Sequence, residues 1–585
     1  LFGYKGFWEA LLLLVIWSGA VQPLAGQTNQ DYELCPGITI EAEATIQFNE
    51  SEQALVCEQI GREPYQKIPW NQQRYFLKNF LTARGYFQFQ FDRGAGKQVH
   101  VKLGPQSVIR QVTLVNAPED IDTSRFWQVY GRPMTSDALN RIEKWVLGVL
   151  SRRGYPCVDL ATKAYPLSDE VVIDLNQPPP LKFSTVDMEL IPGTIGGVER
   201  RYNAFTIGEP YNSRLVDLTT KRMIEDELVI SASYQVECGE DGEWVKVELN
   251  NIAGKPKLVT FGIGFDTEEF FIVEGGWKNT RLGEMASTLE TTLRASFRQQ
   301  KAFMSFDWYY APFVIRHALR SEVFFERQNE PNYESSEFGA KTGPSWSWDR
   351  GAHAYDLWAS VNYEHIETVR GEGPGLAQSF SLRGALQLTS HDYEYFAASP
   401  RQGYQLQLSW EGSSKEFASD YTENRFQLSG TALWNLFRLD PPIWVLGLRG
   451  QLASVQLGQD TTKAEYPTKK RLRLGGSQNL RGFGRKKLPG NGALTTAYMG
   501  LELRTREILP FDLEPIIFFD IGRYGDQAMT LDPTNFWSPG IGVHWPSIIG
   551  TIRATLAYGF LSGRDEEGFQ HLSRWQAYLS YGEQF

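Results

Sequence analysis

Tyr404-Gln-Leu-Gln-Leu-Ser-Trp410-Glu411 sets apolar side chains at 404, 406, 408 and 410 against polar ones at 405, 407, 409 and 411. Successive side chains of an extended chain point to opposite faces, so this stretch predicts a β-strand with one oily and one polar face. The pattern recurs. Leu289, Thr291, Leu293, Ala295 and Phe297 alternate with Glu290, Thr292, Arg294, Ser296 and Arg298. Phe380, Leu382, Leu386 and Leu388 alternate with Ser381, Arg383, Gln387 and Thr389, and Ile552, Ala554, Leu556, Tyr558 and Phe560 form a further apolar face. From Lys257 onward this period-2 signal dominates. In a soluble sandwich such apolar faces meet each other; in a membrane barrel they face lipid and the polar faces line a wet lumen. Aromatics near strand ends, such as Tyr404 and Trp410, suit interfacial girdles and favour lipid. So does a last strand carrying Trp575, Ala577, Leu579, Tyr581 and Phe585 on one face, where Tyr581, Gly582 and Phe585 read as a C-terminal strand signal. At roughly 20 residues per strand and loop, residues 257–585 hold about 16 antiparallel strands. Unpaired backbone groups in lipid cost several kcal/mol each, so the sheet has to close.

Upstream, the pattern changes to a repeat. Val99-His-Val-Lys-Leu103, Val171-Val-Ile-Asp-Leu175 and Val245-Lys-Val-Glu-Leu249 are short alternating strands spaced 72 and 74 residues apart. Each follows a helically spaced apolar segment, namely Tyr75–Leu81, Ile142–Leu150 and Thr220–Leu228. Gly85 and Gly154 suit the stops of the first two helices. Opening strands read as Val108–Val115 and Leu181–Val186 in the later copies. A fixed period means stacked modules. Three of β-α-α-β-β type are expected, over 36–104, 105–179 and 180–256, ahead of the barrel at 257–585.

The bulk composition agrees with a β-rich chain. Of 585 residues, 17 are Trp, 26 Tyr, 35 Phe and 54 Gly, with a mean hydropathy of −0.35. A net charge of −11 argues against a nucleic-acid partner. Lys5 precedes the uncharged stretch Ala10–Val21, and Pro23-Leu-Ala-Gly26 follows. That stretch is too short to span a bilayer and reads as a secretory signal peptide over residues 1–26. Export implies an oxidising compartment, where the four cysteines can pair. Cys35 with Cys57 is the favoured pair; Cys157 with Cys238 would have to join two modules, and free buried thiols are the alternative.

The search for enzyme chemistry is nearly empty. His100, His317, His353, His365, His391, His544 and His571 lack ligand spacing, and no H-E-x-x-H, G-x-S-x-G or Walker-type loop is present. No catalytic residue, metal or cofactor is expected. One segment stands out, the basic Gly-rich stretch Arg471–Lys487. In the strand after it, Ala497, Met499, Leu501 and Leu503 share one face, which puts Glu502 on the other, in the lumen. Asp520, the lone carboxylate of Ile516–Gly522, points inward by the same parity, so an arginine folded into the lumen meets two acids.

Leu480-Arg481-Gly482-Phe483 resembles the Val/Ile-Arg-Gly-Phe/Tyr signature of the BamA/TamA superfamily of outer-membrane assembly proteins. Phe518-Phe-Asp520-Ile-Gly522 resembles its later F-x-D-x-G strand, Gly500-Leu-Glu502 its acidic strand, and Ala577–Phe585 its closing strand. The three modules resemble POTRA (polypeptide-transport-associated) domains, and with a barrel of this size they are most similar to the TamA branch. The resemblance implies a transmembrane barrel in the outer membrane with POTRA domains in the periplasm. It implies that the loop of Leu480, Arg481, Gly482 and Phe483 folds into the lumen, where Arg481 pairs with Glu502 and Asp520 and holds loop and seam in register. The seam joins a first strand near Leu258–Phe265, weakened by Gly262 and Gly264, to the last strand. An incoming strand could pair there by β-augmentation. The implied substrates are unfolded outer-membrane proteins such as autotransporters, and the implied partner is a TamB-like protein anchored in the inner membrane. The alternative is the outer-membrane end of a phospholipid-transport or protein-secretion conduit. A passive porin is disfavoured, since a simple pore needs no modules.

Overall fold

The computed structural model describes residues 30–42, 46–57, 68–94, 98–118, 121–176, 179–188, 190–239, 243–311, 316–396, 400–547, 550–562 and 575–581. The expected signal peptide, Gly582 and Phe585 lie outside the described residues. The chain divides into two compact units. One comprises the first 119 residues with 128–145 and 160–175; the other comprises 120–127, 146–159 and everything from 176 onward.

The first unit opens on a hairpin, Gln30–Cys35 with Ile38–Ala42. Ile38–Ala42 runs parallel to Val99–Lys102, which pairs antiparallel with Gln90–Arg93. Helices Glu50–Val56 and Trp70–Ala83 complete this module. Asn49 caps the first in a reciprocal box with Glu52, and Leu77 and Leu81 of the second are buried with Ile40 and Val101. Cys35 and Cys57 form a disulfide, Cα–Cα 5.7 Å. The module therefore starts before residue 36, which is a correction. Pro36-Gly37 is the hairpin turn, with Gly37 at φ +88°. A second sheet in this unit sets Gln111–Val115 parallel to Glu170–Asn176, with Asp159–Tyr165 on the other side. The opening strand is thus shorter than expected, since Val108 makes only an isolated bridge to Pro133.

In the second unit, Lys182–Met188 runs parallel to Trp244–Ile252, which pairs antiparallel with Ser231–Cys238. The helix Ser213–Glu225 packs on this sheet through Val216 and Met223, in a core with Phe183, Tyr202 and Tyr211. All three sheets share one mixed topology. The β-α-α-β-β pattern needs correction in the later copies, which carry one α-helix each. The place of the other is taken by 3-10 turns, Thr123–Arg125 with Trp127–Val129, and Val198–Tyr202. Pro192-Gly193 and Gly196-Gly197 leave too short a run in the third copy to offset the cost of a helix nucleus. A second disulfide links Cys157, just after the helix Ser136–Ser151, to Cys238, Cα–Cα 6.5 Å.

The rest of this unit is a closed antiparallel barrel of sixteen strands, from Lys257–Asp266 to Trp575–Tyr581. Each strand pairs with its neighbour in sequence. The fifteenth, Gly550–Tyr558 and Phe560–Ser562, is one strand interrupted at Gly559, because both pieces keep the same register on Asn535–Ser547. Outward positions are apolar and exposed, as at Val259, Phe261, Ile263, Leu406, Leu408, Trp410, Leu501, Ile517 and Phe519. Inward positions bury charge, as at Glu330, Glu423, Glu502 and Asp520.

The third module docks on the barrel rim. Arg222 of its helix forks Asp349 at 2.8 and 2.9 Å, at the end of the sixth strand, Tyr333–Arg350. It also forks Glu394 at 2.6 and 2.7 Å, in the short helix His391–Tyr395. Burial opposes the charge, but the bonds to Glu394 and Asp349 outweigh it and hold the guanidinium above its usual pKa.

Candidate functional site

The segment between the eleventh strand, Trp444–Leu457, and the twelfth, Thr495–Thr505, is drawn into the barrel. It carries its own small hairpin, Leu472–Leu474 with Leu488–Ala493, and a buried apolar knot of Leu474, Leu480, Phe483 and Leu488 with Tyr498 and Phe536. This knot excludes water from the motif beside it, which raises the value of every charged bond there.

The structure brings Arg481, Glu502 and Asp520 together. Arg481 Nε and Nη2 each lie 2.9 Å from an Asp520 oxygen, and Nη1 lies 2.7 Å from Glu502 Oε2. The Arg481 backbone N–H also reaches Asp520, at 3.2 Å. The guanidinium lies 3.3 Å from the centre of the Phe518 ring, a cation–π contact that covers its remaining face. All three charged residues are almost fully buried. Removing one partner of such a group costs roughly 3–5 kcal/mol, because a charge stays buried without its counter-ion.

Gly482 and Phe483 touch further strands. The Gly482 N–H bonds Ser538 Oγ on the fourteenth strand. A Cβ on Gly482 would stand 2.6 Å from the backbone of Gly559 in the fifteenth, so both glycines permit a backbone approach that no side chain allows. Phe483 packs edge-on against Phe536, centroids 5.6 Å apart, and its carbonyl accepts the Tyr578 hydroxyl at 2.8 Å. Tyr578 belongs to the last strand. Leu480 is fully buried in the knot. Through these contacts the motif is tied to all five strands that end the barrel.

The loop also holds the other side of the closure. Glu268, in the turn after the first strand, accepts the Ser477 hydroxyl at 2.5 Å and its N–H at 3.3 Å. One short segment, Ser477 to Phe483, therefore bridges first strand and last. Lys257–Asp266 pairs along its whole length with Phe270–Asn279 on one side. On the other, among the described residues, only Phe265 and Asp266 pair, with Tyr581 and Ser580. Two further bonds join Thr267 and Leu579: the Thr267 N–H donates to the Leu579 carbonyl at 3.0 Å, and the Leu579 N–H donates to Thr267 Oγ1 at 3.3 Å. Val259, Phe261 and Ile263 on this strand are exposed. Of the three expected strand-signal residues, Tyr581 sits at this seam, and Gly582 and Phe585 lie outside the described residues.

Sequence reasoning missed a second anchor. Lys469 lies 2.5 Å from Glu326 and also pairs with Glu337. Lys470 meets Glu364 and Glu411 at 2.8 Å and Glu423 at 3.0 Å. These five acids come from five strands on the far side of the barrel from the seam in chain order. Arg485 adds a third anchor, at 3.0 Å to Glu330 and 3.1 Å to Glu269. The Lys469-Lys470 pair was the available signal, but nothing local says which dispersed acids receive it. For a metal, the described residues offer one group, Asp31, Glu41 and His100 on the first sheet. His100 Nε2 lies 3.2 Å from Glu41, the geometry of an ordinary side-chain bond.

A sixteen-stranded barrel, plugged by an arginine-bearing loop that reaches both its first and its last strand, defines a class of plugged barrel. The profile of the Omp85 superfamily domain matches residues 278–585, more than half of the sequence, and the chain belongs to the Omp85 superfamily. Among solved structures, BamA from Haemophilus ducreyi lacking POTRA domains 1–3 is 16% identical, covering 81% of this chain and 99% of that one, with a TM-score of 0.49. CdiB from Escherichia coli is 12% identical over 88% of this chain and 97% of that one, with a TM-score of 0.47. CdiB from Acinetobacter baumannii is 11% identical over 81% and 89%, with a TM-score of 0.46. No curated protein sequence matches the chain.

Proposed function

We propose that this chain is an outer-membrane assembly factor of the TamA type, which helps autotransporters and other β-barrel proteins insert through the seam between its first and last strands. The observation that supports this most is the asymmetry of the first strand: fully paired on one side and, among the described residues, held by two residues on the other. A strand edge left unpaired in lipid carries several kcal/mol per backbone group, and an incoming strand relieves that cost by pairing. The outward apolar band is what a lipid-facing barrel requires. Among the described residues, no helix is long and apolar enough to cross a membrane.

In this reading the POTRA-like modules stand in the periplasm, receive unfolded substrate, and engage a TamB-like partner anchored in the inner membrane. The loop keeps the seam in register between insertion events: Glu268 and Tyr578, on opposite sides, are both held by it. No step involves covalent chemistry, so the protein is not an enzyme and needs no cofactor. Insertion is driven by the substrate's own folding into lipid. The test is a reversible lock. Cysteines replacing Phe265 and Tyr581, which pair across the seam, are expected to abolish autotransporter insertion when oxidised and restore it when reduced. Cysteines at the paired positions Ala340 and Tyr363 in the opposite wall are expected to leave insertion intact. Full insertion with the seam locked would refute the proposal.

A further inference from the structure

Beneath the loop, a lumenal cavity of about 460 Å³ reaches the seam. Five arginines line it, Arg449, Arg481, Arg504, Arg506 and Arg553, against the acids Asp266, Glu268, Glu502 and Glu514. The acids are already engaged. Glu502 holds Arg481 and Arg504, the latter at 2.6 Å, and Glu514 holds Arg506 at 2.6 Å. Asp266 caps the Glu268 N–H at 2.7 Å, and Glu268 holds Ser477. Arg449 and Arg553 are left with no carboxylate in bridging distance among the described residues, and Arg449 Nη2 is buried with no hydrogen-bond partner. Glu502 and Glu514 act on these two guanidinium groups only from beyond bridging distance, so their planar forks stay open to phosphate oxygens.

On the outer face of the same wall lies an apolar groove of about 530 Å³, lined by Ile541, Val543, Leu556 and Leu579 among others. Cavity and groove share Thr267, Thr555, Tyr578 and Leu579 as lining residues. Thr267 and Leu579 are the residues joined just beyond the seam's two pairs. An arginine-lined site inside and an oily groove outside thus meet beside the seam. A molecule that suits both has a phosphate at one end and hydrocarbon at the other.

We propose that the seam carries a phospholipid-binding site, with the phosphate held by Arg449 and Arg553 in the lumen and the acyl chains lying in the groove of Ile541, Val543, Leu556 and Leu579. The proposal rests on the barrel being lipid-embedded and requires nothing about which protein is inserted. Free phosphate would use the arginines but not the groove; a diacylglycerol would use the groove but not the arginines. The experiment is native mass spectrometry of the full chain released from detergent micelles, with phosphatidylglycerol, diacylglycerol of the same chains, or inorganic phosphate added. Wild-type protein is expected to retain phosphatidylglycerol about tenfold over diacylglycerol. R449Q/R553Q is expected to lose that discrimination, and R449K/R553K, which keeps the charge but not the fork, to recover part of it. Barrel folding of each variant is checked by heat-modifiable migration in gels. Equal retention of the two lipids by wild type overturns the proposal, as does undiminished discrimination in R449Q/R553Q. Retention of phosphate with no lipid overturns it in favour of a free-anion site. Should R449Q/R553Q fail to fold, the wild-type comparison and R449K/R553K decide. A chain that stays soluble without detergent and binds no lipid fails the membrane reading itself, an outcome distinct from all of these.

Discussion

The seam and the wall formed by strands six and seven are made of the same kind of sequence and behave as opposites. Tyr333–Arg350 and His353–Arg370 pair from Glu334 with Arg370 to Arg350 with His353, across nearly their whole length. The first and last strands pair at Phe265 and Asp266 alone among the described residues. Each hydrogen bond contributes about 1 kcal/mol net in water and far more where lipid excludes it. The long wall is therefore strongly held, and under the proposed function opening is expected at the seam rather than there. The loop follows the same division. Its Lys469 and Lys470 grip strands of the long wall, and its Arg481 motif grips the strands that lead to the seam.

The largest expected effect separates those two grips. Arg481→Ala leaves Asp520 buried without its cation and Glu502 with Arg504 alone, at a cost of roughly 3–5 kcal/mol. It is expected to abolish substrate insertion while the barrel itself still reaches the membrane, as read by surface display of an autotransporter and by membrane fractionation. Lys470→Met deprives Glu364, Glu411 and Glu423 of a shared cation on the far wall. It is expected to expose the loop to protease yet keep most insertion activity, since the seam-side grip persists. If both variants lost activity equally, the division between seam and wall would not be functional.

Smaller changes sharpen the seam side. Gly482→Ala sets a Cβ against the Gly559 backbone, which cannot yield as a side chain would, and overpacking of this kind costs about 1–3 kcal/mol. A lowered unfolding temperature with partial insertion is expected. Tyr578→Phe removes only the bond to the Phe483 carbonyl, worth about 1 kcal/mol, and should slightly raise deuterium uptake in the last strand. The smallest effect lies away from the seam. Asp217, in the third module, has its carboxyl pushed above the usual range by burial. A raised acid in the folded state means that folding binds a proton, so its contribution to stability falls as pH rises through that raised value. Asp217→Asn is expected to flatten the pH dependence of module unfolding and to leave exchange at the seam unchanged.

Much of the barrel is legible in the sequence because a half-exposed strand has no choice but to alternate. The same parity alone turns Glu502 and Asp520 inward. What escapes is whatever depends on register between distant segments. Glu326, Glu337, Glu364, Glu411 and Glu423 are spread over about a hundred residues, and only barrel closure gathers them around Lys469 and Lys470. In the modules, the 3-10 turns at Thr123–Arg125 and Val198–Tyr202 carry no helical period to read.

Deuterium exchange of the full chain in lipid nanodiscs tests the central claim most directly, by comparing backbone amides of residues 257–264 with those of 335–347. Exchange in the first strand should be faster by orders of magnitude, and Arg481→Ala should accelerate it further without affecting the second set. Equal protection of the two strands would mean that the barrel has no weak line, and insertion at the seam would have no physical basis.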